Sequence, residues 1–456
     1  MPEYLPRRER QAKQERLVQN LSGPLRPYLS IDWIEAAGGI AKRVTAFPPL
    51  VMVWCMIRQV LYADPSCRAV LAWVQAARKH EGLSRLSHDT SGYCKARQRL
   101  PAQLFPQLSR RVARVLSDRA STMQRWCGRR VLVADGSAFS MPDTPDNQNR
   151  FPQPCRQKQG CGFPVGVFVG VICLTTGAVI DAFIGSGKMH DLAMFYYVRS
   201  CFVAGDIFLA DRAFSAYSEM ALFLGNKVDS VVRLHQRRKA DFRRGRVLGI
   251  GDHIVSWSRP EYCSKGLRRK DFDQLPPSLQ VREIRYSVAV KGFRTHNVIL
   301  ATTLYDAGKY SAKDLAELYF RRWDIEVDFR HLKTTMQMDI LRGHNPDVVN
   351  KEFWAHVLAY NLIRCLLWDA GSGHGKPPLG LSLKGAIQHL LPHWSGYRCQ
   401  RFTEMFKELL LLIAAELLPI RPKRVEPRVR KRRPKQFTFM NKPRNELRKQ
   451  LPKENY

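Results

Sequence analysis

The segment Tyr319–Lys333 constrains this chain more than any other stretch, because four of its polar side chains recur at helical spacing. Tyr319, Arg322, Glu326 and Lys333 stand at offsets of 0, 3, 7 and 14, which an α-helix brings to one face. That face presents one carboxylate beside three groups that can hold phosphate oxygens, a combination that suits a metal-dependent phosphoryl-transfer site. The alternative is an amphipathic helix whose polar face is only solvated.

The apolar residues of the same segment fall on the other sides of this helix. Val327 and Phe329 are expected to pack the helix against the body of the protein. Trp323 has two interpretations, because its ring suits either the protein core or a contact with a bound nucleic acid.

Two acidic residues follow short apolar strands earlier in the chain. Asp135 ends the run that begins at Val131, and Asp211 ends the run that begins at Ile207. Strand ends of an α/β sheet open into the crevice where ligands bind, and carboxylates gathered there need a cation. Oxygen ligands favour Mg²⁺ or Mn²⁺ over zinc, and two such ions activate a water or a 3′ hydroxyl for in-line displacement. For Asp135 alone, the alternative is an ordinary Asp-Gly turn.

The charge of the chain indicates a polyanionic partner. Its 456 residues include 74 Lys and Arg against 40 Asp and Glu, a formal net charge of +34. The basic residues are spread along the chain and are mostly Arg, which favours nucleic acid over a membrane surface. No apolar run approaches the ~20 residues of a transmembrane helix, and the charged start does not resemble a signal peptide. The 11 cysteines are scattered, which is typical of reduced thiols in the cytoplasm.

The apolar pattern divides the chain into five parts. The N-terminal part is helical with a basic edge, which indicates a DNA-binding module or a purely structural helical unit. Strands and helices then alternate, a basic β-rich stretch follows, helices resume, and the end is a basic tail rich in proline. The predicted boundaries are a helical region 1–120, an α/β core in two parts 121–233 and 304–370, a β-rich insertion 234–303, and a C-terminal helical region with its tail 371–456.

Together these segments resemble the DDE transposases of bacterial insertion sequences, in particular the family typified by insertion sequence four. The signature of that family is Tyr, two residues, Arg, three residues, Glu, six residues and Lys, and the segment Tyr319–Lys333 matches it in full. The segments that start at Asp135 and Asp211 resemble the two acidic regions of the family, and the run Ser91–Pro101 resembles its N-terminal part. The resemblance covers about residues 85–370 and implies a ribonuclease-H-like core interrupted by a β-rich insertion.

The same resemblance implies roles for individual side chains. Asp135, Asp211 and Glu326 would be the catalytic residues and the ligands of Mg²⁺ or Mn²⁺. The residues that would contact DNA at or near the cleaved end are Tyr319, Arg322 and Lys333.

Other residues keep two interpretations each. Arg212 follows the second acid and could reach a phosphate or form a local salt bridge. Trp257 is the only Trp of the insertion, and its ring could stack on a flipped base or pack between strands. His190 and Asp191 could take part in acid–base chemistry, although a structural or helix-capping role fits two-metal catalysis better.

The resemblance implies a cut-and-paste transposase that cleaves and joins DNA at the inverted repeats of an insertion sequence. Its expected partners are double-stranded end and target DNA and a second copy of the chain, assembled on DNA in the bacterial cytoplasm and nucleoid. Two alternatives remain: a ribonuclease-H-like nuclease without strand transfer, and a non-catalytic DNA-binding protein derived from a transposase. The second predicts the loss of one acid, whereas all three are present.

Overall fold

The structure is a computed structural model that describes residues 7–39, 45–263, 267–287, 297–396, 401–419 and 438–450. The predicted basic tail, residues 421–435, lies outside these residues. Within them the strands form one mixed sheet flanked by helices, which confirms the predicted α/β class. The strands are β1 (Val131–Ser140), β2 (Val165–Cys173), β3 (Val179–Ser186), β4 (Ile207–Ala210), β5 (Asp229–Arg233), β6 (Arg246–Gly249), β7 (Asp252–Ser258), β8 (Ser278–Ser287) and β9 (Asn297–Thr302).

Helices occupy both ends of the described chain and several connections between strands. Those before the sheet are α1 (Arg7–Ser22), α2 (Ile31–Gly38), α3 (Pro49–Leu61), α4 (Cys67–His80), α5 (Ser91–Arg99) and α6 (Leu104–Arg119). Those between strands are α7 (Pro145–Arg150), α8 (Asp191–Phe195), α9 (Tyr217–Gly225) and α10 (Arg269–Asp273). Those after the sheet are α11 (Ala312–Phe320), α12 (Asp324–Arg330), α13 (Pro346–Gly373), α14 (Leu383–Gly396), α15 (Phe402–Ala415) and α16 (Arg444–Lys449). None of them combines the length and the apolarity that crossing a bilayer requires.

The strand order follows the predicted core. Strands β3, β2 and β1 are antiparallel neighbours. Strands β4 and β5 then add in parallel beside β1. A sheet ordered β3-β2-β1-β4-β5 with these directions is the ribonuclease-H-like arrangement, so this part of the prediction is confirmed.

The strands between β5 and α11 extend the same sheet. Strand β9 pairs with β5, and β8, β7 and β6 follow as antiparallel neighbours. The fully buried Arg282 on β8 binds Asp252 on β7 through two nitrogens, at 2.8 and 2.6 Å. The same guanidinium donates to the carbonyl of Tyr310, 2.8 Å away, which ties these strands to the chain that returns to the core. The predicted division of the chain into five regions stays a prediction.

The segment Tyr319–Lys333 is helical throughout, but it is not one α-helix, which corrects the sequence prediction. Helix α11 ends at Phe320, a 3₁₀ turn spans Arg321–Trp323, and α12 passes into a π-helical turn at His331–Thr335. A 3₁₀ turn overwinds the backbone and a π turn underwinds it. Arg322 and Lys333 nevertheless reach Asp135 and Ser137, which lie on one face of β1.

The apolar side chains of this segment do not all pack as predicted. Phe329 is buried and meets Phe168 of β2 edge to face, with ring centroids 5.2 Å apart. Val327, in contrast, is 37% exposed, so the prediction that it packs against the body is wrong. Ile325 is 1% exposed instead, because it lies four residues before Phe329 and therefore on the same face of α12.

The long helix α13 crosses the sheet and is bound to it through a buried amide. The side-chain oxygen of Asn361 accepts from the backbone N–H of Val179 on β3, at 2.9 Å. Its amide nitrogen donates to the carbonyl of Val179 at 2.9 Å and to the hydroxyl of Ser109 on α6 at 3.1 Å. Asn361 thus pairs the backbone N–H and C=O of Val179, the first residue of β3, which lies at the edge of the sheet.

We expect Asn361→Ala to lower the free energy of unfolding by about 2–4 kcal/mol, because it leaves several buried polar groups without partners. Urea denaturation followed by circular dichroism measures this loss. The exposed Asn149 on α7 provides the matched control, and Asn149→Ala should change stability by less than about 0.5 kcal/mol. Equal stabilities for the two variants would contradict this role of Asn361.

Candidate active site

The parallel pairing of β1 and β4 brings the two predicted acids together. Asp135 does not end its strand as predicted, because β1 continues to Ser140 through antiparallel pairing with β2. Ala134 and Ala210 are register partners, so Asp135 and Asp211 come next along adjacent strands. One Asp135 oxygen accepts the N–H of Gly136 at 2.8 Å, and one Asp211 oxygen accepts the N–H of Ala213 at 2.8 Å. These local hydrogen bonds orient both carboxylates at the carboxyl end of the parallel strands, where open α/β sheets bind ligands.

Arg322 links the third predicted acid, Glu326, to Asp135. An Arg322 nitrogen (Nη1) donates to Asp135 at 3.2 Å, and the other terminal nitrogen (Nη2) lies 3.7 Å from a carboxylate oxygen of Glu326. Arg322 is 7% exposed, and its guanidinium lies 5.0 Å from the ring centroid of Trp323 and 5.9 Å from that of Tyr319. The guanidinium therefore occupies the space between the two acids.

The electrostatics of Asp135 show that the three acids are neighbours. Burial raises the pKa of Asp135 to about 6, against the opposing effects of the Gly136 N–H and the Arg322 charge. The negative charges of Asp211 and Glu326 raise it further. A carboxyl that feels two other carboxylates and lies beside a buried arginine is typical of a site that handles cations or charged substrates.

The two other residues of the motif flank these acids. Lys333 donates from Nζ to the hydroxyl of Ser137 on β1, at 3.2 Å. Tyr319 is buried, and burial raises its pKa while the charge of Arg322 opposes the shift. Ser137 lies two residues after Asp135 and therefore on the same face of β1, but no signal in the sequence alone distinguishes it from other strand serines.

A buried network behind α12 was not predicted. Asp328 on α12 contacts the guanidinium of Arg364 on α13, and it accepts from the hydroxyl of Tyr360 at 2.9 Å. Arg364 also donates from Nε to that hydroxyl at 2.7 Å. Burial raises the pKa of Asp328, and the Arg364 charge opposes this. The network fixes α12 against α13 and so positions Glu326, two residues before Asp328. An acid in an apolar stretch, with an Arg later in another apolar helix, is the signal that could have indicated it.

Asp191 is a fourth carboxylate near the site. Its carboxylate packs on Gly136, where an added Cβ would stand 3.1 Å from the nearest Asp191 oxygen. Burial raises the pKa of Asp191, the charge of Asp211 raises it further, and His190 opposes these effects. His190 stands at the N-cap position of α8, but its side chain does not make the capping hydrogen bond. Besides the predicted structural role, Asp191 therefore interacts electrostatically with Asp211.

The remaining two predicted DNA contacts differ in exposure. Arg212 is exposed and donates to the side-chain oxygen of Gln236 at 3.1 Å, a hydrogen bond to an amide instead of the alternative salt bridge. Trp257 is 5% exposed, donates to Glu283 at 2.9 Å, and is covered by the guanidinium of Arg238 at 3.9 Å from its ring centroid. Trp257 is thus packed within the protein, and its ring could stack on a base only if Arg238 moved.

The donor set fits a divalent cation of the predicted kind. Asp135, Asp211 and Glu326 all offer carboxylate oxygens, the ligands that Mg²⁺ and Mn²⁺ prefer. Within the described residues, however, no three His, Cys, Asp or Glu side chains lie close enough to hold one ion together. The guanidinium of Arg322 lies 3.2 Å from Asp135 and 3.7 Å from Glu326.

Comparison with known proteins agrees with this arrangement. Residues 126–362, more than half of the chain, match the family described as the transposase DDE domain. The chain belongs to the DDE transposase family. DDE transposases are enzymes that cut and join DNA and use divalent metal ions, so the predicted family and enzyme class are confirmed.

Individual relatives extend the match beyond the catalytic core. The transposase InsG of insertion sequence element IS4 from Escherichia coli (strain K12) is 26% identical over 425 residues, which cover 91% of this chain and 92% of that protein. The putative transposase InsL of element IS186A from the same strain is 37% identical over 67 residues, 15% of this chain and 18% of that protein. Among solved structures, a piggyBac transposase synaptic complex with hairpin DNA has a TM-score of 0.40 and 10% identity, covering 87% of this chain and 85% of that one.

The raised pKa of Asp135 makes the stability of this transposase depend on pH. In the unfolded chain the carboxyl titrates near pH 3.9, and in the folded protein at about 6. Between these values the folded state binds more protons, so this group lowers the free energy of unfolding as the pH rises from about 4 to about 6. We expect the free energy of unfolding of Asp135→Asn to rise relative to that of wild type by up to about 3 kcal/mol over that pH interval.

Urea denaturation at several pH values in the presence of EDTA measures this difference. The chelator removes divalent ions that would otherwise stabilise the ionised carboxylate of the wild type. A stability difference that stays constant from pH 4 to pH 7 would show that burial does not raise the pKa of Asp135.

Proposed function

We propose that this transposase performs cut-and-paste transposition, with Asp135, Asp211 and Glu326 as its catalytic carboxylates. The observation that carries the proposal is the convergence beside the point where the parallel pairing of β1 with β4 ends, where Arg322 lies 3.2 Å from Asp135 and 3.7 Å from Glu326. The substrate is the DNA at the ends of an insertion sequence, as the full match to the Tyr-Arg-Glu-Lys signature implies. The relatives named above are described as transposases of insertion sequence elements.

The three carboxylates would hold Mg²⁺ or Mn²⁺. When bound, the metal supplies activation of the attacking oxygen and charge stabilisation at the leaving oxygen. The chain contributes the orientation of these ligands. Local N–H donors fix Asp135 and Asp211, and the network of Asp328, Tyr360 and Arg364 holds the helix that carries Glu326.

The basic residues of the site would bind the DNA backbone. Lys333 lies against the face of β1 that carries Asp135, and its hydrogen-bond partner among the described residues is the neutral hydroxyl of Ser137, so its charge would be available to a phosphate. Arg322 carries a second charge between the acids, and the buried Tyr319 borders it. Arg212 is exposed at the end of β4 and extends the basic surface beyond the cleaved bond.

The N-terminal helical region 1–120 would hold the inverted repeats. Helix α5 exposes Lys95 and Arg99, whereas Arg97 is buried. Both transposon ends must be brought together for joining, so a dimer assembled on DNA is the expected active form. Such a protein acts where its substrate lies, in the bacterial cytoplasm on nucleoid DNA.

We expect Glu326→Gln to lower the rate of DNA strand cleavage about a thousandfold or more, because it removes one ligand charge while keeping the shape. The assay uses purified protein, Mg²⁺ and a duplex that contains the DNA flanking the gene. Glu317→Gln, on the exposed side of α11, is the matched control and should cleave like wild type. Binding of the duplex by Glu326→Gln should stay within about threefold of wild type.

Three outcomes would overturn this proposal in different ways. Full cleavage by Glu326→Gln would remove Glu326 from the catalytic set. Nicked products without joined products, from wild-type protein with both ends and target DNA present, would indicate a nuclease without strand transfer. Wild-type protein that binds the duplex but never cuts it would indicate a non-catalytic DNA-binding protein.

A further inference from the structure

The guanidinium of Arg322 is shared between two of the acids that the proposed function assigns to the metal. It donates to Asp135 at 3.2 Å, and its second terminal nitrogen stands 3.7 Å from Glu326, too far for a full hydrogen bond. Its third nitrogen, Nε, is buried and has no acceptor among the described residues. A 93% buried cation (7% exposed) is thus paired on one side and left partly unsatisfied on the others.

This geometry sets Arg322 and a divalent cation in competition for the same oxygens. A carboxylate oxygen that accepts from a guanidinium has fewer lone pairs free for a metal. A positive charge fixed between the ligands also repels an incoming cation, and the repulsion is strong where water is largely excluded. Asp135 and Glu326 can therefore serve the metal fully only when the guanidinium leaves the space between them.

Among the described residues, the Tyr319 side chain also hydrogen-bonds to Arg322, but no group accepts the Nε hydrogen. The flanking rings of Tyr319 and Trp323 contact its face, but they do not accept the Nε hydrogen. A phosphodiester does offer several charged acceptors, and arginine binds phosphate through two parallel hydrogen bonds. Lys333 projects from the same motif on the same face of β1, so a DNA strand that reaches Lys333 passes beside Arg322.

We propose that Arg322 is a positioning residue that couples DNA binding to metal binding. Its guanidinium holds Asp135 and Glu326 until a DNA phosphate takes it over, and the two carboxylates are then free for a divalent cation. This inference rests on the proposed metal role of these acids. By thermodynamic linkage, DNA raises the affinity for the metal by the same factor by which the metal raises the affinity for DNA.

This coupling differs from a purely structural ion pair. A structural ion pair would hold α12 in place, so its removal would weaken metal binding or leave it unchanged. A competing guanidinium makes the opposite prediction, because its removal frees ligands and removes a repelling charge. The sign of the change in metal affinity therefore separates the two roles.

The test measures Mn²⁺ binding to the full chain by electron paramagnetic resonance, without DNA and with a duplex of the DNA that flanks the gene. Without DNA, Arg322→Ala should bind Mn²⁺ at least about 10-fold more tightly than wild type. The duplex should tighten Mn²⁺ binding by a larger factor in wild type than in Arg322→Ala. Arg322→Lys retains the charge and should restore weak binding without DNA. The exposed Arg330→Ala removes an arginine charge from the same helix and should behave as wild type.

Asp135→Asn makes failure of this inference distinguishable from failure of the proposed function. If wild type with DNA binds no Mn²⁺ that depends on Asp135, the metal site itself is wrong. If that binding is present but neither Arg322→Ala nor Arg322→Gln binds Mn²⁺ more tightly than wild type without DNA, the coupling role of Arg322 is wrong. If circular dichroism shows that either variant does not fold, two other comparisons of Mn²⁺ affinity decide. One compares wild type with Arg322→Lys, and the other compares wild type with and without DNA. Equal Mn²⁺ affinity of wild type in both conditions overturns the coupling.

Discussion

The packing of Phe329 against Gly170 is the contact on which the site depends. Gly170 is the register partner of Asp135, and a Cβ at Gly170 would stand 3.1 Å from the ring of Phe329. The missing side chain lets the ring reach the strand directly opposite the acid, where it also meets Phe168 edge to face. Because Phe329 is one helical turn after Glu326, this contact sets how close Glu326 comes to β1. A larger residue at Gly170 would move α12 and separate the acids.

Like charges gathered by this packing must be neutralised, and the protein does so with arginines. Arg322 lies between Asp135 and Glu326, and Arg364 neutralises the buried Asp328 on the opposite side of α12. The first pair is partly unsatisfied, whereas the second is closed by Tyr360. This difference suits a helix α12 that the Asp328–Arg364 pair holds in place, while Arg322 on the other side can exchange its partners. Stability is reduced at the site because burial raises the pKa of Asp135.

The sequence allowed prediction of the core sheet and the family, because apolar strand runs and a four-residue motif are local signals, whereas the roles of the site residues stay predictions. What it did not allow depends on contacts between distant parts of the chain. The position of Arg322 between the acids, the hydroxyl of Ser137 and the approach of Asp191 to Gly136 all follow from tertiary packing. The 3₁₀ and π turns around α12 also escaped prediction, since the apolar spacing alone does not report pitch.

The most direct test of the account is the position of the metal in crystals of the protein with end DNA and Mn²⁺, located by anomalous scattering. We expect a peak within about 2.3 Å of carboxylate oxygens of Asp135 and Glu326, with the guanidinium of Arg322 on a DNA phosphate. A peak elsewhere in the protein, or one at these acids with Arg322 still bound to Asp135, would contradict it.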